Sequence, residues 1–267
     1  MIEQRHAARM AFDPKLGVHC STDLHFTYDE DVFGPEPEFR RLDAIRPSLR
    51  NPNCKGPDPV YSIVMDVGRK VDLDQLKSRM VLFGVVAYAS GRLGDEPVRS
   101  QGHIHAIAPN CGWSTPELFE IWEGRAIIYA QERATDDPGR CFAVTANPGD
   151  KVVVPPEWAH CVINADPELR LIFGAWCNRH YGFVYNQIRA RGGLAWFPVL
   201  DGRQNICWEP NPRYRKSEIS VRAARMYPEL GLIDEEPIYE EFVTDPDSIQ
   251  WISQPARVEE VWCDFEP

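Results

Sequence analysis

The 267-residue sequence lacks the features that mark several large classes of protein. It has no cluster of lysine and arginine with interleaved aromatic residues, and its formal net charge is −11, so no nucleic-acid partner is expected. No apolar stretch approaches the length of a membrane span, and the first residues contain no hydrophobic segment of the kind that a signal peptide needs. We therefore expect a cytoplasmic protein with no membrane partner.

Paired cysteines are also missing. The eight cysteines are widely spaced, contain no CxxC pair and do not form the pattern of a small disulfide-rich domain. We expect them to be reduced and to pack mostly as small hydrophobic side chains. The sequence has no internal repeat and no low-complexity tract, which argues against solenoid and fibrous architectures.

Long helical patterns are scarce, whereas prolines are abundant and separate short apolar runs. Between Val60 and Trp176, most of the β-branched or aromatic runs are separated by Gly, Pro, Asp or Asn. Short strands at such regular spacing predict an all-β sandwich or barrel rather than alternating β and α units. A short helix or turn is predicted over Asp72–Lys77.

The chain is long enough for one large domain with decorated ends. Residues 1–58 are loop-rich and predict an N-terminal arm over the core, and residues 59–200 contain the predicted barrel. Residues 201–267 predict a C-terminal extension that wraps either this barrel or a neighbouring chain. Within it, Ser217–Tyr227 predicts a short helix ended by Pro228.

A set of histidines and a glutamate carries the clearest chemical signal. His103 and His105 lie two residues apart on a predicted strand. Side chains alternate along a strand, so the two rings face the same side, about 7 Å apart. An HxH pair alone is more often structural, but Glu117 and His160 follow on two further predicted strands. Three imidazoles and one carboxylate suit Fe, Mn, Zn, Ni or Co, so we predict one divalent transition metal per chain.

The remaining histidines are weaker candidates for metal ligands. His180 lies in a predicted loop, and His6, His19 and His25 lie in the arm, where we expect no role for them. The predicted ligand set therefore consists of His103, His105, Glu117 and His160.

These segments resemble the two conserved motifs of the cupin superfamily. The first motif has HxH, a Glu, and a Gly seven residues after that Glu; the matching residues are His103, His105, Glu117 and Gly124. The second has Gly, Pro, His and Asn at fixed offsets; the matching residues are Gly149, Pro155, His160 and Asn164. The offset to Gly124 selects Glu117 rather than Glu120, which alternation places on the opposite face of the strand. Two departures are Glu157 at a usual Gly position and an apparent insertion around Pro109–Ser114.

Among cupins, the segments GHIHA, PELFEIWEG and VVVPPEWAHCVIN are most similar to cupin-type (archaeal-type) glucose-6-phosphate isomerases. The similarity covers roughly Val60–Val199. It implies a jelly-roll β-barrel, a homodimer and a metal-dependent aldose–ketose isomerase acting on a sugar or sugar phosphate.

The resemblance carries over unevenly to the substrate-binding residues. Ser100 keeps the hydroxyl of a family threonine near the phosphate, Gly102 is retained, and Tyr185 matches a tyrosine near the substrate. Apolar side chains stand where the family has a threonine, two tyrosines and a histidine; these are Val86, Phe119, Trp176 and Phe183. Each polar group left unpaired would cost about 1–3 kcal/mol of binding, so the resemblance predicts metal chemistry better than it predicts the substrate.

Four arginines lie near the predicted barrel mouth in sequence, namely Arg92, Arg99, Arg179 and Arg191. Arginine binds phosphate or carboxylate through its bidentate fork, so these residues are candidates to compensate for the lost hydroxyls. The alternative for each of them is a solvated surface charge.

Three functions are compatible with these residues. In an isomerase, the metal would polarise two sugar oxygens, Glu117 would move a proton between C2 and C1, and Tyr185 would orient a hydroxyl. A hydride shift is equally compatible. A mononuclear iron dioxygenase would instead use the apolar residues to hold a hydrophobic substrate, and a non-catalytic metabolite-binding cupin would bind tightly without turnover.

Overall fold

The computed structural model describes residues 11–233 and 235–267. His6 and the rest of the first ten residues of the predicted arm lie outside the described residues, as does Asp234 in the extension. In the described ranges, none of the helices is long and apolar enough to cross a membrane.

Short strands dominate the described chain. They are β1 (Val18–Cys20), β2 (Phe26–Tyr28), β3 (Val32–Phe33), β4 (Glu38–Arg40), β5 (Tyr61–Arg69), β6 (Val81–Tyr88), β7 (Arg92–Leu93), β8 (Glu96–Pro97), β9 (Ile104–His105), β10 (Ile107–Ala108), β11 (Trp113–Ser114), β12 (Glu117–Glu123), β13 (Ala126–Gln131), β14 (Cys141–Ala146), β15 (Lys151–Val154), β16 (Ala159–Asn164), β17 (Leu171–Asn178), β18 (Phe183–Val184), β19 (Trp196–Leu200), β20 (Ile206–Pro210) and β21 (Ile219–Ala223).

The helices are all short. They are α1 (Leu42–Ile45), α2 (Leu73–Ser78), α3 (Asn186–Ala190), α4 (Ile238–Thr244) and α5 (Glu259–Trp262), with 3-10 turns at Arg46–Ser48, Lys70–Asp72, Pro228–Leu230, Gln250–Ile252 and Pro255–Val258. Helix α2 confirms the helix or turn predicted over Asp72–Lys77.

The strands form two main sheets. The larger has the order β15-β12-β17-β6-β5-β3, with β4 also paired to β5, and the smaller has the order β16-β13-β14-β21. Every residue of β6 and β17 is buried, which explains why these strands are continuous apolar runs rather than alternating ones. The all-β jelly-roll class predicted from the sequence is confirmed.

A hydrophobic core fills the space between the two sheets. Val86, Phe119 and Phe173 from the larger sheet pack with Ile128 and Val144 from the smaller one. The chain therefore buries the inner face of each sheet against the other, as in other sandwiches and barrels.

The outer faces of both sheets are covered by other segments of the same chain. On the larger sheet, Phe83 and Trp176 pack against Tyr239, Phe242 and Trp251 of the C-terminal segment. On the smaller sheet, a separate cluster joins β13, β14 and β16 to the segment around Leu194, Ala195 and Tyr214. Of the two possibilities left open by the sequence, the extension packs on its own barrel.

The helix predicted over Ser217–Tyr227 is wrong. Residues 219–223 form β21, which pairs in parallel with β14 from Cys141↔Ile219 to Thr145↔Ala223. The free edge of β14 offers backbone hydrogen bonds that a helix could not use, and the β-branched Ile219 and Val221 suit a strand. The extension's helices are α4 and α5 instead.

The predicted arm contains more regular structure than its sequence pattern indicated. Strands β3 and β4 pair with β5 and so extend the larger sheet. The divisions at residues 58 and 200 remain predictions.

Candidate metal centre

The predicted metal ligands come from separate strands that meet inside the barrel. His105 lies on β9, Glu117 is the first residue of β12, and His160 is the second residue of β16. His103 forms a backbone bridge with His160, which fastens the HxH segment beside the smaller sheet. One ligand atom from each of the four residues lies within 4.8 Å of all the others.

Glu117 is at the centre of this cluster. Its Oε2 lies 3.0 Å from Nε2 of His160, 3.2 Å from Nε2 of His105 and 3.9 Å from Nε2 of His103. Oε1 accepts a hydrogen bond from the Cys177 thiol at 3.3 Å. The carboxylate is thus turned toward three imidazoles from inside the larger sheet.

Backbone carbonyls orient two of the rings. Nδ1 of His105 lies 2.8 Å from the Thr115 oxygen, and Nδ1 of His160 lies 3.1 Å from the Trp158 oxygen. An N–H at Nδ1 that donates to a carbonyl leaves Nε2 free to bind a cation, which is the usual arrangement around metal-bound histidine.

Two of the inward-facing nitrogens lack a hydrogen-bond partner in the described structure. Nε2 of His103 and Nε2 of His105 are buried and find no hydrogen-bond partner among the described residues. Buried polar atoms are rarely left this way without a bound ion or water. Three imidazole nitrogens and a carboxylate oxygen therefore fit a first-row transition metal, with His103, His105, Glu117 and His160 as its ligands.

The protonation states of His103 and Glu117 favour metal binding. Burial, together with His160 and His105, holds the pKa of His103 well below its usual range. Burial opposes ionisation of Glu117, but the neighbouring imidazoles of His105 and His160 lower its pKa well below normal. Burial also disfavours a charged His105, yet the neighbouring Glu117 carboxylate outweighs this and raises the pKa of His105. At His105, a cation therefore competes with a proton for Nε2.

A cavity leads from the cluster toward solvent, and its walls are mainly apolar. The apolar lining includes Ile63, Met65, Val86, Phe119, Val162 and Phe173. The polar lining comprises Arg40, Tyr61, Tyr88, Ser100, Gln101 and Tyr185. The Phe183 ring, which also lines the cavity, lies 4.4 Å from the His103 ring between centroids.

Most of the predicted substrate residues line the cavity. Five line the cavity, namely Val86, Ser100, Phe119, Phe183 and Tyr185, and their contact with a substrate stays a prediction. Gly102 does not line the cavity; it has a φ of +85°, and a Cβ there would lie 2.9 Å from a Leu194 methyl.

Trp176 is misplaced in the sequence prediction. Its indole is fully buried on the outer face of the larger sheet, and Nε1 donates to the Ile238 oxygen at 3.1 Å. Its neighbours Ala175 and Cys177 face the cavity instead, because side chains alternate along a strand.

The four arginines proposed to compensate do not line the cavity. Their side chains are bound elsewhere, Arg99 to Glu96, Arg179 to Asp66, Arg191 to Asp136 and Arg92 to Gln204. Within the described part of the chain, Arg40 of the N-terminal segment does line the cavity, and it was missed in the sequence prediction. Cys177, whose thiol donates to Glu117, was missed as well.

The chain is similar to known proteins over part of its length. The model of the family described as Glucose-6-phosphate isomerase (GPI) matches residues 47–215. The curated protein "Putative glucose-6-phosphate isomerase 1" of Rhizobium meliloti (strain 1021) is 26% identical over 145 residues, which are 54% of this chain. The match spans 63% of that relative's length.

Among solved structures, vicilin from Corylus avellana (hazelnut) is similar at 11% identity with a TM-score of 0.34, over 48% of this chain and 32% of its own. A point mutant of Bacillus subtilis oxalate decarboxylase is similar at 20% identity with a TM-score of 0.32, over 46% of this chain and 27% of its own. The family model, in contrast, spans more than half of the chain and includes every predicted metal ligand. This chain therefore belongs to the glucose-6-phosphate isomerase family, of the cupin type that its motifs resemble.

Proposed function

We propose that this protein is a metal-dependent isomerase that interconverts the aldose and ketose forms of a sugar or sugar derivative. The observation that supports this most is the convergence of His103, His105, Glu117 and His160 beside a cavity, in a member of this family. The apolar walls at Val86 and Phe119 support a substrate that has diverged from glucose 6-phosphate.

In this reaction, the chain's own residues would bind the metal, move a proton, exclude water and orient the substrate. The three histidines and Glu117 would hold a divalent metal, which when bound supplies a Lewis acid for two adjacent substrate oxygens. Glu117 would accept the C2 proton and return it to C1. Phe183 and Phe119 would exclude water from this step, and the Tyr185 hydroxyl would orient the substrate.

The direct test is turnover by the purified, metal-loaded protein. Fructose 6-phosphate, neutral ketoses and ketose acids would be incubated separately in D₂O and followed by NMR. Interconversion with deuterium incorporation at C2 supports proton transfer through Glu117, whereas interconversion without incorporation supports a hydride shift. Absence of any interconversion at full metal occupancy would refute the isomerase.

A matched pair of variants identifies the carboxylate. Glu117→Gln should abolish turnover, whereas Glu120→Gln, on the opposite face of the same strand, should retain it. Glu120 is bound to the Trp122 indole and the Ile238 backbone rather than to the cluster.

A mononuclear iron dioxygenase is the second candidate, because the apolar walls also suit a hydrophobic substrate. It predicts oxygen uptake that depends on Fe(II) and on added substrate. Uptake together with absent isomerase turnover would favour this candidate.

We also propose a cytoplasmic homodimer, following the family resemblance. Light scattering on the purified protein would test the dimer, and fractionation of cells that make it would test the location.

A further inference from the structure

Among the described residues, the cavity lining contains one charged side chain outside the metal cluster, that of Arg40. Arg40 ends strand β4, which pairs with β5 so that Arg40 lies opposite Tyr61. Tyr61 in turn lies opposite Tyr88 on β6. Arg40, Tyr61 and Tyr88 therefore form a row across three strands, and all three line the cavity.

The surroundings of Arg40 supply hydrogen-bond donors. Arg40, Tyr61 and Tyr185 line the same cavity, and the positive charge of Arg40 lowers the pKa of both tyrosines against the effect of burial. Burial raises the pKa of each of these tyrosines, so both hydroxyls stay protonated. The Arg189 guanidinium lies 5.0 Å from the centre of the Tyr185 ring and adds a second positive charge behind it.

One acidic group competes for Arg40. Nη1 of Arg40 donates to Glu38, and 63% of the Glu38 side chain is exposed, against 25% for Arg40. An ion pair with so exposed a partner is weak, because water screens it and the carboxylate is free to turn away. The guanidinium fork remains suited to a planar or tetrahedral oxyanion.

We infer that Arg40, with the Tyr61 and Tyr185 hydroxyls, binds an anionic group of the substrate, a phosphate or a carboxylate. The anion displaces Glu38 from the guanidinium. This gives the cavity a charge that selects its ligand, while the apolar walls hold the carbon chain. The inference rests on the proposed function for the reaction at the cluster, but the binding of an anion does not depend on turnover.

The test uses pairs of ligands in which one member has an anionic group and the other does not. Binding to the metal-loaded protein would be measured by calorimetry for fructose 6-phosphate against fructose, and for gluconate against sorbitol. The first pair reports on phosphate and the second on carboxylate. Wild-type protein should prefer the anionic member of at least one pair.

Three variants test whether Arg40 causes the preference for the anionic ligand. Arg40→Gln should weaken the anionic ligand about tenfold or more and leave the neutral one unchanged. Glu38→Gln should strengthen the anionic ligand, and because Glu38 is exposed this variant stays informative if Arg40→Gln fails to fold. Arg41→Gln is the matched control: its side chain is 60% exposed, with its nearest carboxylate oxygen, on Asp58, at 3.9 Å.

Two outcomes would overturn the inference. One is a wild-type protein with no preference for either anion. The other is a preference that persists in Arg40→Gln or fails to rise in Glu38→Gln. Anion binding that follows these expectations without any turnover would instead leave Arg40 in its role and count against the isomerase alone.

Discussion

Glu117 illustrates how a single side chain is held in a site that is costly to fold. Its carboxylate is buried, accepts a hydrogen bond from Cys177 and faces three imidazoles. Burying a charge is unfavourable unless it is paired, and here the neighbouring rings supply that pairing. A divalent cation at the same point would satisfy the carboxylate and the two unpaired nitrogens together.

His160 is the ligand whose removal gives the clearest readout. In His160→Ala, three of the four ligands remain, and even the loss of an outer hydrogen-bond partner of a ligand typically costs 10–100-fold in metal affinity. We expect affinity to fall more than about 100-fold, measured by elemental analysis after dialysis against limiting metal. His180→Ala, an exposed loop histidine, is the control and should retain metal. Equal metal contents in both variants would contradict the ligand assignment.

The sequence motifs made the four ligands predictable, because the cupin spacing assigns them one by one. The side chains that line the rest of the cavity were harder to predict. Trp176 was assigned to the cavity by alignment, but alternation along β17 turns it outward and turns Ala175 and Cys177 inward. Arg40 had no sequence signal, since only the pairing of β4 with β5 brings it to the cavity.

At the scale of elements, helix α4 fastens the C-terminal segment to the larger sheet. Phe242 is 1% exposed and packs on Trp176 with 5.0 Å between ring centroids. Phe242→Ala should lower the free energy of unfolding by about 3–5 kcal/mol, the usual cost of emptying a buried aromatic site.

Val243, the next residue of α4, is the matched control for Phe242. It is 37% exposed, and Val243→Ala should change stability by no more than about 0.5–1 kcal/mol. Urea unfolding of both variants checks this difference. Similar losses in the two would mean that α4 is not packed as described.

Burial of Glu120 makes the stability of the folded protein depend on pH. Burial raises its pKa to about 7, partly offset by hydrogen bonds from the Ile238 N–H and the Trp122 indole. The folded protein therefore holds a proton that the unfolded chain, with its pKa of 4.5, has lost. The stability gained from this is complete below about pH 4.5 and is lost as pH rises through 7.

Glu120→Gln removes that titration. Between pH 5 and 7.5, wild-type protein should lose about 2 kcal/mol more stability than the variant, measured by urea unfolding at both values. Lys151 and Glu241, which also face this carboxyl, are present in both proteins and so do not enter the comparison directly. If stability changes with pH in the same way in both proteins, then burial does not raise the pKa of Glu120.

Strand β21 shows why the ends of the chain resisted prediction. Ile219 to Ala223 alternates apolar and polar residues over only five positions and lies beside residues that favour helix, so local pattern alone is ambiguous. The deciding interaction is the parallel pairing with β14, which is distant in sequence. Tertiary context of this kind overrides local propensity.

At the scale of the whole molecule, the metal cluster joins the two sheets. Glu117 belongs to β12 of the larger sheet, and His160 belongs to β16 of the smaller one. His103 and His105 lie on the segment bridged to β16. A bound cation would therefore connect opposite faces of the barrel, and separating the sheets would require breaking its ligand bonds.

Metal binding should consequently stabilise the entire fold. A ligand that binds only the folded state adds about 2.7 kcal/mol when its concentration is 100 times Kd. For a domain of this size, that raises Tm by several degrees, at about 2–4 °C per kcal/mol. Scanning calorimetry of wild-type protein should therefore show a lower Tm after chelation and recovery on adding metal, whereas His160→Ala should respond little to either treatment. A wild-type Tm that is indifferent to chelation at full initial occupancy would mean that the cation does not bridge the sheets, since any bond across them has to be broken before the barrel opens.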